Sequence, residues 1–155
     1  ITLLSLFIAP ERGILFRYYR MLRFRWNCVS ENILKSLWGR EESFNEILST
    51  HDVSRCYLLL VLWRLKHQGW LRYREGVYVL TSHGERRAKW IVRLHRLWEV
   101  YLADYLGVGE ERVHCNAEEM EHILTKDLEK ELVALLDNPK VDPHHQPIPD
   151  KVGGI

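Results

Sequence analysis

Three residues that can bind metal ions, Glu118, Glu121 and His122, are spaced i, i+3 and i+4 within one predicted helix. Residues three and four apart share one face of an α-helix, so we expect these side chains to project together. Imidazole nitrogen and carboxylate oxygen without thiolate are typical ligands of Fe(II), Mn(II), Co(II), Ni(II) or Zn(II). Carboxylates along a helix are also often simply solvated, so the spacing by itself leaves a metal site and a solvated face both open.

A second group of potential ligands lies upstream of the first. His95 and Glu99 are four residues apart on another predicted helix, and His114 lies in the connection between the two helices. The cysteines at positions 28, 56 and 115 are odd in number and form no C-x-x-C pair, so neither a disulfide framework nor a thiolate zinc site is indicated. A reducing compartment, the cytoplasm, is therefore expected.

Helical periodicity places both groups of ligands in an all-helical C-terminal part. Apolar residues recur at spacings of three and four from 82 to about 106, and Gly107 ends the pattern. Shorter helices are predicted at about 116–124 and 126–136, before an irregular tail rich in proline and glycine. The residues expected to build the core and a dimer contact are Leu97, Trp98, Leu102, Leu132 and Leu136.

The N-terminal part of the chain has the pattern of a winged helix. A helix is predicted from about Cys28, with Ser30 as its N-cap, to a stop near Gly39. Two further helices and a hairpin follow, which is the outline of a helix-turn-helix with a β wing. These elements cover about 41–48 and 54–68 for the helices, and 70–73 and 77–80 for the strands, with a turn at 74–76. The predicted fold is therefore mainly α.

The formal net charge of +1 hides a strong asymmetry along the chain. Residues 1–96 contain 17 basic and 8 acidic side chains, whereas residues 97–155 contain 5 basic and 13 acidic ones. A basic winged helix suits a polyanion such as DNA, and an acidic helical part suits cations.

The candidate DNA contacts lie at two places in the winged helix. Ser54, Arg55 and Tyr57 begin the helix after the turn, and the N-terminal residues of such a helix enter the major groove. Arg72 and Arg74 lie on the wing and are expected to contact the minor groove or phosphates.

One feature of this helix is unusual, because residues 57–63 read YLLLVLW and are apolar all round. Two explanations are open. The apolar face could pack against the N-terminal segment or a partner, or DNA could be read mainly by van der Waals contact.

The run HRLWEVYLADYLGVGEERVHCNAEEMEHIL, followed later by DPHHQPIP, resembles the metal-dependent repressors of the diphtheria toxin repressor and manganese transport regulator family. The resemblance covers about residues 26–149. It implies a winged helix that binds operator DNA, followed by an all-helical metal-binding and dimerisation domain. It also implies a repressor, and not an enzyme, that acts as a homodimer on metal-uptake genes.

The resemblance assigns ligands position by position. His95, Glu99 and His114 fall on the family's ancillary site. Glu118, Glu121 and His122 fall on its primary site, to which the first helix would contribute Asn32. Leu60 stands where family members tend to be polar, and Lys35 stands where the manganese branch has a glutamate. Because a protonated lysine cannot bind a metal, Fe(II) is favoured as cofactor, with Mn(II) as the alternative.

The start of the chain carries a further, shorter resemblance. FIAPERGIL is similar to the end of the last membrane helix of metal ABC-transporter permeases, and arginines interleave with aromatic residues just after it. An ordinary amphipathic basic helix is the alternative. We expect a cytoplasmic repressor made as the C-terminal part of a permease fusion, either released from or tethered to the inner membrane.

These inferences define an expected domain organisation. It comprises a permease-like membrane stub and basic linker at 1–24, a winged-helix DNA-binding domain at 25–82, a helical metal-binding and dimerisation domain at 83–140, and an irregular tail at 141–155.

Two other functions stay open at this point. One is a cytoplasmic metal-sensing domain of a metal ABC transporter that does not bind DNA. The other is a small metalloenzyme, although the chain has no H-E-x-x-H motif and no glycine-rich phosphate loop.

Overall fold

The computed structural model describes residues 14–108, 117 and 125–151 of the chain. Three helices and a small sheet form the N-terminal part of this region, and a long helix then leads to a C-terminal helix and an irregular segment. In chain order the elements are α1 (Ile14–Ser36), β1 (Glu42–Ser43), α2 (Phe44–Thr50), α3 (Arg55–His67), β2 (Leu71–Arg74), β3 (Val77–Leu80), α4 (Ser82–Asp104) and α5 (Lys126–Leu135). The predicted mainly helical winged fold is confirmed.

Helix α1 is longer than the sequence pattern indicated. No glycine or proline occurs between Ile14 and Ser36, so the arginine-rich segment and the predicted first helix form one continuous helix. The prediction of Ser30 as an N-cap is wrong, since Ser30 lies buried within α1 on its packed face. In the described part of the chain, no helix is long and apolar enough to cross a membrane.

Helix α2 starts later than predicted because the two residues before it pair with the wing. Glu42 and Ser43 form the short strand β1 beside β3. Ser43 then caps α2: its hydroxyl accepts from the Glu46 N–H at 3.4 Å, and its own N–H donates to the Glu46 carboxylate at 2.6 Å. These hydrogen bonds lower the pKa of Glu46.

The wing is an antiparallel hairpin in a sheet of order β1-β3-β2. Leu71 pairs with Leu80, and Arg74 pairs with Val77. Two residues form the turn, Glu75 at φ 52° and Gly76 at φ 90°. Positive φ at both positions is typical of the tight turn that matches the twist of a hairpin.

The base of the wing is joined closely to the start of α4. The Thr81 hydroxyl accepts from the Gly84 N–H at 3.1 Å and donates to the Gly69 carbonyl at 2.6 Å. A Cβ at Gly84 would lie only 2.1 Å from the carbonyl oxygen of Trp70. Glycine therefore permits a helix-to-strand approach that a side chain would prevent.

One hydrophobic cluster joins the winged helix to the helical part within the described residues. Ile33 and Leu34 of α1 and Leu62 of α3 are buried in it, together with Leu94 of α4. Leu132 of α5 and Ile148 of the tail belong to the same cluster. The two predicted domains thus share a core, and α4 is their common element.

The tail is irregular, as expected, but it is fastened to α4. Arg93 donates to the Pro149 carbonyl at 2.7 Å, and Arg96 donates to the Pro147 carbonyl. Asp142 is buried and accepts from the backbone N–H groups of His144 at 2.9 Å and Gln146 at 2.8 Å. This turn holds residues 142–149 in a defined position against the helix.

Candidate metal centre and nucleic-acid interface

Two of the predicted ligands meet on α4. His95 and Glu99 lie one helical turn apart, and the His95 Nε2 is 3.2 Å from the Glu99 Oε1. Their side chains are only 8% and 3% exposed. Burying an ionisable pair is costly unless its members interact with each other, with further polar groups or with a metal ion, so this pair is a candidate binding site.

A histidine from the irregular tail approaches the same carboxylate. The Nε2 of His144 lies 3.9 Å from the Glu99 Oε1, and its side chain is 42% exposed. His144 is 45 positions beyond Glu99 in the chain, so no helical spacing could relate them. The Asp142 turn brings the two together.

Asn32, the ligand expected from the first helix, has an unusual environment. Its Oδ1 is buried and is one of the few such side-chain oxygens in the described region without a hydrogen-bond partner. A buried polar atom without a partner needs an explanation, such as an ion or a water. A carbonyl oxygen is a suitable ligand for a hard divalent cation, so Asn32 offers one donor atom of the kind that such a cation prefers.

The remaining predicted ligands, His114, Glu118, Glu121 and His122, lie outside the described residues. Ala117 is described, is fully buried and packs on Leu102 of α4. Among the described residues, no three His, Cys, Asp or Glu side chains form a group that could hold a metal ion.

The start of α3 carries the predicted major-groove contacts. Ser54 is the N-cap of α3, and its hydroxyl accepts from the Tyr57 N–H at 3.4 Å. Arg55 is exposed, with its guanidinium 5.2 Å from the centre of the Phe44 ring. Ser54 and Arg55 are thus available at the exposed end of the helix.

Tyr57 packs against α1, in contrast to the exposed Ser54 and Arg55. Its ring makes an edge contact with Trp26 of α1 at 5.3 Å between centroids. Burial raises the pKa of the Tyr57 hydroxyl. Tyr57 therefore fixes α3 against α1 in addition to any role at the surface.

Both predicted wing residues are exposed. Arg72 and Arg74 lie on β2, and the Arg74 Nε is 3.3 Å from the Glu75 carboxylate in a solvent-exposed pair. Surface pairs of this kind are weak, so Arg74 can exchange its partner for a phosphate.

The apolar face of α3 is exposed. Leu59, Leu60 and Trp63 each have half or more of their surface exposed, and Trp63 stacks on His67. The described part of α1 therefore does not cover this face. A partner and van der Waals contact with DNA both stay open as explanations for its exposure.

The described residues form a three-helix unit with a β wing, which one long helix joins to a helical part. This architecture defines the class of winged-helix proteins with a C-terminal helical domain. Residues 81–150 match the profile of the family described as iron dependent repressor, metal binding and dimerisation domain. Residues 81–150 thus carry the metal-binding and dimerisation domain of that family.

Known proteins support this classification. The chain is 37% identical to the iron-dependent repressor IdeR of Mycobacterium leprae over 56% of its length, which is 38% of that protein. Its fold is similar to that of a manganese-dependent transcriptional repressor solved with manganese, with a TM-score of 0.74 and 31% identity; the match covers 81% of this chain and 60% of the other.

A different kind of relative aligns with almost the whole chain. A Chlamydia trachomatis protein named "Probable metal transport system membrane protein" is 32% identical over 97% of this chain. The chain spans only 36% of that protein's length.

Proposed function

We propose that this chain is a metal-dependent transcriptional repressor that binds operator DNA as a homodimer and controls metal-uptake genes. The observation that carries the proposal is the placement of the buried His95–Glu99 pair on the same helix whose first turn is joined to the DNA-binding wing. Similarity to repressors in both sequence and fold supports this function over catalysis.

The proposed ligands form two groups. Glu118, Glu121, His122 and Asn32 would hold the activating cation, and His95, Glu99 and His114 would hold an ancillary one. A divalent cation, when bound, supplies the positive charge that these carboxylates need and links segments far apart in the sequence. We favour Fe(II), with Mn(II) as the alternative; the names of the relatives include both iron and manganese.

The chain's own residues account for the rest of the proposal. Asn32 presents a buried carbonyl oxygen from α1. Because it would bind the same cation as Glu118, Glu121 and His122, ligation would tie the first helix of the winged unit to the helical part. A ligand stabilises whichever conformation it binds better, and we propose that this is the DNA-binding one.

The proposed DNA contacts are Ser54, Arg55 and Tyr57 at the start of α3, and Arg72 and Arg74 on the wing. The exposed Leu59 and Leu60 would face the major groove. Because the thymine methyl group is the apolar feature of that groove, we propose that α3 reads thymines by contact.

Dimerisation would use the helical part. Trp98, Tyr101 and Leu132 line an apolar groove between α4 and α5, at whose edges Leu128 and Leu135 are exposed. The Chlamydia relative supports a further proposal, that the domain is made fused to a membrane-embedded metal permease. It would then act on the cytoplasmic side, released from or tethered to the inner membrane.

The experiment is an anaerobic mobility-shift assay on duplexes selected by the chain from a random pool, titrated with Fe(II), with Mn(II) and with chelator. We expect metal to strengthen DNA binding and a steep loss of binding with salt, since phosphate contacts release counterions. Glu121→Ala should abolish the metal effect, and the neighbouring Glu119→Ala is the matched control. Metal binding without any DNA shift would instead favour a metal-sensing domain of a transporter.

A further inference from the structure

A charged contact joins α1 to α4 one residue before Asn32. The Arg87 guanidinium on α4 donates to the Glu31 carboxylate on α1. The two side chains are 24% and 14% exposed. The Arg87 guanidinium also lies over the Trp90 ring, 4.4 Å from its centre. This contact, here called the α1–α4 ion pair, is therefore held in place from both helices.

A second arginine of α4 contacts the chain just beyond the C-terminal end of α1. The Arg96 guanidinium lies 5.9 Å from the centre of the Trp38 ring, and Trp38 follows the last residue of α1 by two positions. Asn32 lies between the two contacts in the sequence. Its buried Oδ1 has no hydrogen-bond partner. The two arginines thus hold this part of the chain against α4 on both sides of the oxygen proposed to bind the cation.

The two helices also share apolar surface. Ile33 and Leu34 of α1 belong to the same buried cluster as Ile91 and Leu94 of α4. Apolar burial stabilises the contact, but it is non-directional. It therefore sets the rotation of α1 about its own axis less sharply than a hydrogen-bonded pair does. The α1–α4 ion pair supplies such a directional contact.

The position of the Asn32 oxygen depends strongly on this rotation. Side-chain atoms lie roughly 5 Å from the axis of a helix, so a rotation of α1 by about 10° moves them by about 0.9 Å. A metal ligand has to lie within about 0.2 Å of its preferred distance. Small movements of α1 on α4 would therefore take the oxygen out of range of a cation held by the other ligands.

The α1–α4 ion pair is not an efficient source of stability. The Nε of Arg87 is buried and has no hydrogen-bond partner, and an unpaired buried donor costs free energy. Replacing a buried ion pair by apolar residues of similar volume is often neutral. Position, more than stability, is what this pair contributes to the contact between the helices.

We propose that the α1–α4 ion pair positions Asn32 for the activating cation. Glu31 and Arg87 are positioning residues that act through Asn32, whereas Asn32 supplies the donor atom. This inference rests on the proposed function in one respect, because it takes Asn32 as a ligand. It does not depend on DNA binding.

The test is a calorimetric titration of the full chain with Mn(II), which is stable in air, in the absence of DNA. The variant Asn32→Ala first identifies the binding event that uses Asn32. The double variant E31L/R87M removes both charges of the pair, so no unpaired charge stays buried. Because groups that orient metal ligands typically change metal affinity by about 10–100-fold, this variant should weaken the same event at least about tenfold. Its urea midpoint should change little.

The matched control is R93M/E129L, which removes a second buried ion pair of α4. The Arg93 Nε and the Glu129 Oε1 are 2.9 Å apart and join α4 to α5. This variant should bind Mn(II) at the Asn32-dependent event as the parent chain does. Equal weakening by both double variants would overturn the proposal, because a general loss of order around α4 would then explain the change.

Two single variants decide the question if E31L/R87M does not fold. Arg87→Lys keeps the positive charge and should retain most of the affinity, whereas Arg87→Gln should lose it. Equal Mn(II) affinity of these two variants, or parent-like affinity of E31L/R87M, overturns the proposal. If Asn32→Ala changes no binding event, the assignment of Asn32 as a ligand fails and this inference fails with it. If Asn32→Ala weakens an event that the pair variants leave unchanged, only this inference fails.

Discussion

The buried contact between α4 and α5 leads to a quantitative prediction. The Glu129 carboxylate accepts from the Arg93 Nε and the Trp90 Nε1, both at 2.9 Å. The side chains of Arg93 and Glu129 are only 9% and 5% exposed. Replacing Glu129 by Gln keeps the shape but leaves the arginine charge buried without its counter-charge.

Breaking a buried ion pair in this way costs about 3–5 kcal/mol of unfolding free energy. At about 2–4 °C per kcal/mol for a chain of this size, Glu129→Gln should lower Tm by at least about 6 °C. The assay is urea denaturation followed by circular dichroism, supported by a thermal melt. The exposed neighbour Glu131 provides the control, and Glu131→Gln should leave the urea midpoint unchanged.

A double variant separates charge from packing. Arg93→Met with Glu129→Leu removes both charges, and it should recover most of the stability that the single variant loses, because no unpaired charge remains buried. A loss below about 1 kcal/mol for Glu129→Gln would refute the reasoning. It would mean that the pair is solvated and is worth no more than a surface pair.

Two further predictions concern other parts of the molecule. Alanine normally stabilises a helix relative to glycine by about 1 kcal/mol. Gly84→Ala should nevertheless destabilise the chain by about 1–3 kcal/mol, because the new Cβ would clash with the Trp70 carbonyl. The control Ser82→Ala, in the same turn, should leave the urea midpoint unchanged. If α3 reads thymines by contact, replacing thymine by deoxyuridine in a selected duplex should weaken binding about fourfold per lost methyl contact, and Leu60→Ala should bind both duplexes equally in a mobility-shift assay.

The elements with strong local signals could be predicted from the sequence. The wing strands, the start of α3 near Ser54 and the long helix from Ser82 follow from alternation and helical period. Strand β1 could not be predicted, because two residues are too few to show an alternating pattern. The strand exists only through its pairing with β3. The start of α1 was missed because all residues of its first half are exposed, so burial imposes no clear apolar period on that segment.

The site was predictable only where its residues are neighbours on one helix. His95 and Glu99 are i and i+4, and the structure brings them into contact. His144 reaches the same carboxylate through a turn built on Asp142 and held by Arg96. Residue spacing does not predict this contact, because the contact depends on how the tail packs against α4.

The continuity of α4 limits how a signal can travel through this molecule. About 20 Å of helix separate His95 from Ser82, and after Gly84 no glycine or proline interrupts it before Asp104. Helix α4 is therefore a stiff connection between the wing and the buried His95–Glu99 pair. If α4 tilts by about 6° around His95, the base of the wing shifts by about 2 Å. Helix α4 has no internal joint along this axis to open or close. Under the proposed function, a bound ion would instead reset the angle at which the whole helix meets α1 or a second copy of the chain.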